Sequence, residues 1–66
     1  MRDPKRLDDF YDQLKQIHKE CCPDWRFGQM ILNVLGKMAS EGRDPFFPEE
    51  EEMLAYFKKY FHKDEE

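Results

Sequence analysis

Apolar residues recur along the chain at close to 100° per residue, the period of an α-helix. Between residues 4 and 21, Leu7, Phe10, Tyr11, Leu14, Ile17 and Cys21 share one arc of roughly 140°. Asp8, Asp9, Asp12, Lys15, Gln16 and Lys19 fall outside it. Between 25 and 40 the apolar arc widens to about 220°. Phe27, Ile31, Val34 and Met38 form its centre. Leu35, Leu32 and Trp25 lie on one flank and Met30 on the other. Between 48 and 62, Met53, Leu54, Phe57, Tyr60 and Phe61 share a face, with Tyr56 at its edge.

Local punctuation supports these three segments. Asp3 and Pro4 read as an N-cap and first helical residue. Pro23 forbids continuation of the first helix, and Asp24 reads as the cap of the second. Gly42 stands just beyond the second helix, where a left-handed residue ends the spiral. Asp44-Pro45 makes a turn, and Pro48 with Glu49 to Glu52 opens the third helix. Lys58, Lys59 and His62 near its far end match the helix dipole. Thr is absent and β-branched residues are few, so strands are not expected. An arc as wide as that of helix 2 suits a helix with two neighbours. The chain therefore reads as all-α, a compact three-helix domain with helices at about 4–21, 25–40 and 48–62 and helix 2 central. Residues 1–66 form one domain. On this reading Phe27→Ala or Ile31→Ala should each cost roughly 2–5 kcal/mol.

Length and composition narrow the function classes. The 66 residues are 39% hydrophobic and 39% charged, with six Phe, three Tyr and one Trp. That is too apolar for a disordered tail and too short for a cleft enzyme with its own pocket. No apolar stretch is long enough to span a bilayer, so no membrane contact is expected. The N-terminus lacks the apolar stretch of a secretory signal. The two cysteines are adjacent and make no disulfide framework, which suggests a reducing cytoplasm. Net charge is −4, and the excess of acid lies in residues 43–66, at Glu49 to Glu52 and Asp64 to Glu66.

Several constellations could carry chemistry. His18, Cys21 and Cys22 share a helix face, and His62 could complete a Cys/His zinc set. The simpler reading makes them core or boundary residues, with no metal and no cofactor. Arg2, Lys5, Arg6 and Arg26 could form a basic end on helices 1 and 2 for nucleic acid, although the chain as a whole lacks a basic footprint. The acidic run has no calcium-loop spacing and reads as a solvated helix start. Glu50 falls on the apolar side of helix 3, positioned to reach a cap or an arginine. No nucleophile–base pair stands out, so no catalytic residues are expected. Gly28 is costly in a helix. Either Gly28 and Gly36 permit tight packing of helix 1 or of Phe46-Phe47, or they belong to a partner-binding flank with Gln29 and Asn33.

Three blocks occur in order: Arg2-Asp3-Pro4-Lys5-Arg6, then Pro23-Asp24-x-Arg26-Phe27-Gly28-Gln29, then Asp44-Pro45-Phe46-Phe47 before the acidic run. This pattern resembles a family of short, uncharacterised bacterial and phage-associated all-helical proteins. The resemblance spans nearly the whole chain. It implies a small soluble helical protein without an assigned activity. Cys21, Cys22 and Trp25 stand outside the pattern.

The expected function is therefore a non-enzymatic protein–protein interaction module, with homodimerisation as one form. Its candidate contact residues are Trp25, Arg26, Gly28, Gln29, Met30, Asn33, Tyr56 and Tyr60, several of them at arc edges that a small monomer covers poorly.

Overall fold

The computed structural model describes residues 2–62. Three helices appear in order: α1 (Arg6–Cys21), α2 (Phe27–Ser40) and α3 (Glu50–Tyr60). They form an all-α three-helix domain with a Cα radius of gyration of 12.1 Å. The C-terminal part of the acidic excess, 64–66, lies outside the described residues.

Each helix begins about two residues later than the sequence pattern places it. Asp3 is not the cap of α1, whose N-cap is Lys5 with no side-chain cap bond. The Asp3 Oδ1 instead accepts the Lys5 N–H at 2.9 Å in the turn before the helix. The next amides bond three residues back, Arg6 to Asp3 and Leu7 to Pro4, so the chain turns tightly before α1 proper. Asp24 is not the cap of α2. Trp25 N–H instead closes a turn on the Cys22 carbonyl, and Arg26 is extended at φ −69°, ψ 156° as the N-cap. The Gln29 side chain accepts the Arg26 N–H at 2.7 Å, one half of a capping box. The same device opens α3, where Glu52 Oε1 accepts the Glu49 N–H at 3.2 Å. At the far end of α2, Gly42 adopts φ +86°. The Arg43 N–H bonds Met38 O and the Gly42 N–H bonds Ala39 O, which is a Schellman stop.

The core contains Leu14 and Ile17 from α1, Cys22, Met30, Val34 and Met38 from α2, and Leu54, Tyr56 and Phe57 from α3. Met30, Val34 and Met38, four residues apart, each have 0% exposure, so α2 supplies the most completely buried stripe. The longest close approach of backbones is between α1 and α3, with α2 set against that pair by its side chains.

The centre of the buried arc on α2 is thus Met30–Val34–Met38, and two expectations need correction. Phe27 lies at the right angle but is 61% exposed. Helical side chains lean toward the helix N-terminus, so the first residue of α2 projects past the end of its own helix. Leu32, about 160° round from Val34, is 74% exposed and flanks no core. Ile31 is half-buried.

Candidate functional site

The expected contact residues separate into three groups. Met30 and Tyr56 are buried and unavailable to a partner as the fold stands. Met30 belongs to the inner stripe of α2. The Tyr56 hydroxyl donates to Glu41 Oε1 at 2.8 Å, and the Arg43 guanidinium lies 5.7 Å from its ring centroid. Burial, then the neighbouring Glu41 carboxylate, pushes the Tyr56 phenol above its ordinary value. The bond from Tyr56 in turn holds Glu41 below the usual carboxylate range. An edge position on α3 became interior because the loop after α2 brings Glu41 and Arg43 over it.

Trp25 and Tyr60 are half-buried and meet through Phe61. The Trp25 and Phe61 ring centroids are 6.0 Å apart, and those of Tyr60 and Phe61 are 4.8 Å apart, edge to face. This aromatic group ties the start of α2 to the end of α3. The Trp25 carbonyl lies 2.8 Å from His18 Nε2. A carbonyl can only accept, so Nε2 carries the proton and donates.

Arg26, Gly28, Gln29 and Asn33 are exposed. Arg26 and Gln29 are occupied in the helix cap. An added Cβ at Gly28 or Gly36 would meet nothing within 4 Å. The packing explanation for these glycines is therefore overturned. Neither helix 1 nor the Phe46-Phe47 segment approaches them, because both lie on the outward side of α2.

The expected basic end is not a continuous positive surface. Arg2 Nη2 pairs with Glu49 Oε2 at 2.7 Å, and Arg6 Nε with Glu50 Oε1 at 3.2 Å. Glu50 reaches the arginine its place on α3 foreshadowed, and that bond holds its carboxyl below the ordinary value. A groove of about 590 Å³ at this end is lined by Asp9, Glu49, Glu50 and Glu51 together with Arg6. The acidic start of α3 docks on the start of α1 and reverses the local sign. Lys5 and Arg26 remain exposed.

The His/Cys set does not assemble. Among the described residues no three His, Cys, Asp or Glu side chains are grouped to hold a metal ion. His18 is engaged with Trp25. Burial, and then Cys21, pushes the Cys22 thiol up, which disfavours the thiolate that a metal site or a nucleophile needs. Both cysteines are free. Among the described residues no helix is long and apolar enough to cross a membrane.

The most exposed apolar groups stand outside the expected contact residues. Phe46 is 83% exposed, Phe47 72% and Tyr11 57%, alongside Leu32 and Phe27. Phe46 and Phe47 stand edge to face at 5.1 Å in a turn fixed by Asp44, whose Oδ1 accepts the Phe46 N–H at 2.9 Å. A signal for them did exist. Two aromatics between Pro45 and Pro48 have no helical period that could bury them.

No protein-family model matches the chain, and no curated protein and no solved structure is detectably similar to it.

Proposed function

We propose that the protein is a non-enzymatic protein–protein interaction module of the cytoplasm. One observation carries this reading. The core is closed by Met30, Val34, Met38 and Phe57, yet Phe27, Leu32, Phe46 and Phe47 remain more than half exposed. Single exposed apolar residues are ordinary on any protein. Four large ones on a chain this short, two of them on the helix that supplies the deepest core, suit a surface that another protein covers. Membership of the short bacterial and phage-associated family forms part of the reading and rests on the three sequence blocks.

Site-specific photo-crosslinking in the host tests it. A benzophenone amino acid replaces Leu32 or Phe46, with Asp12 on the charged face of α1 as the control. The reading predicts discrete adducts from position 32 or 46 that position 12 does not give. Equal or absent adducts at all three positions would overturn it.

A further inference from the structure

The outward face of α2 combines three independent features. The first is charge. Over a third of the chain is charged, but Phe27–Ser40 holds a single ionic side chain, Lys37. Lys37 lies on the flank toward α3 and is neutralised by Glu41, with Nζ 3.1 Å from Oε2. The second is exposure. Gly28, Leu32, Gly36 and Ala39 are all open on this side, with Leu32 at 74%. The third is vacancy. The Cβ positions of Gly28 and Gly36 face empty space, so a helix glycine that is unfavourable relative to alanine has no packing reason within the chain.

We infer that this face pairs with the α2 of a second copy, in a two-fold, antiparallel helix contact centred on Leu32. The inference rests on the interaction-module reading and names its partner. Two arguments select a second copy. A two-fold contact requires a patch complementary to itself. Gly28 and Gly36 lie four residues either side of Leu32, on one ridge of the helix surface. Reversed, the row reads the same: Gly28 meets Gly36 of the second copy, and the two Leu32 side chains meet near the axis. The gaps at the glycines let the backbones approach closely around the leucines. The second argument is electrostatic. The chain carries net −4, so most faces of two copies repel, whereas the outward face of α2 presents no charge.

The size of the contact sets its strength. A helix of 14 residues is about 21 Å long, and one face of it covers roughly 300–400 Å² per copy. That lies in the small, transient class of interfaces. The pair should therefore be half-formed at roughly 50–500 µM rather than at nanomolar concentration.

Sedimentation equilibrium of the purified full chain from about 20 µM to 1 mM is the test, with Leu32→Glu and Gly36→Ala alongside. Leu32 is exposed, so Leu32→Glu keeps the wild-type circular dichroism and melting temperature and weakens association at least tenfold. Gly36→Ala raises the melting temperature measured at low concentration and also weakens association, because the methyl group fills the gap the second helix needs. A wild-type chain that is monomeric at 1 mM overturns the inference, as does a Leu32→Glu variant that dimerises normally. If position 32 then crosslinks only to other proteins, the module reading stands and the self-pairing alone has failed.

Discussion

Apolar residues on the inner and outer faces of α2 meet opposite fates. Met30, Val34 and Met38 point inward and lose all contact with solvent. On the outward side, Gly28, Leu32, Gly36 and Ala39 remain exposed. By contrast, α1 divides more cleanly, with Leu14 and Ile17 in the core and its charged residues toward water, although Tyr11 on its apolar arc is exposed against expectation. The difference teaches that a wide apolar arc reports how much surface a helix needs covered. It does not say that the same chain does the covering. α2 reads as a helix between two neighbours. In the structure α1 and α3 run closest to each other, and part of the α2 arc is left open.

The strongest way to break this comparison is to truncate enclosed side chains beside an exposed one. Met38→Ala or Phe57→Ala should cost roughly 2–5 kcal/mol, because both side chains are wholly enclosed and leave a cavity. In a domain this small either change should leave much of the protein unfolded at 37 °C. Phe27→Ala should cost less than about 1 kcal/mol, as a mostly exposed residue outside the core. Urea melts of the three variants decide. Equal costs at Phe27 and Met38 would erase the distinction between enclosed and exposed positions of α2.

Next in size is Gly36→Ala. With open space at its Cβ position, the alanine should stabilise the monomer by about 1 kcal/mol. A destabilised variant in a dilute thermal melt would mean that the outer face of α2 is packed after all.

A smaller effect concerns two carboxyls, one between α1 and α3 and one where the end of α2 meets α3. The Glu50 carboxyl is held below its ordinary value by Arg6, and that of Glu41 by Tyr56. A carboxyl depressed on folding adds stability above its unfolded pKa, near 4.3. That contribution fades as the pH falls through the lower, folded pKa. The melting temperature should hold from pH 7 to about 5 and decline below about 4.5. Arg6→Gln should flatten part of the decline. Tyr56 acts in the opposite sense. Its phenol is raised, so its contribution is full below about pH 10 and is lost as the pH rises through the folded value. An acid limb unchanged in Arg6→Gln would show that the Arg6–Glu50 pair does not couple to folding. Smallest of all, Leu32→Glu should shift monomer stability by no more than about 0.5 kcal/mol in either direction.

Much of the fold was legible because helix periodicity and stop signals are local. Gly42 ends α2, and Pro23 keeps α1 and α2 apart. α2 and α3 start two residues beyond the Asp24 and Pro48 signals because the Gln29 and Glu52 side chains close the caps at Arg26 and Glu49. Candidate contacts were harder to read, because exposure is a tertiary property. Nothing in the angular position of Phe27 reveals that it hangs past the end of its helix. Nothing local to Arg2 and Arg6 reveals that Glu49 and Glu50 will dock on them. Gly28 and Gly36 were visible as anomalies, but packing and binding could be separated only by the empty space around them. The Phe46–Phe47 pair was in plain view between two prolines.

The central claim is that the outer face of α2 is an open contact surface that covers itself with a second copy. Comparing ¹H–¹⁵N spectra of the wild-type chain at about 20 µM and about 1 mM tests this most directly. The account predicts concentration-dependent shifts at Gly28, Leu32, Gly36 and Ala39, with Asp8, Asp12 and Lys58 unmoved. Spectra that superimpose at the two concentrations, or shifts confined to Phe46 and Phe47, would contradict it.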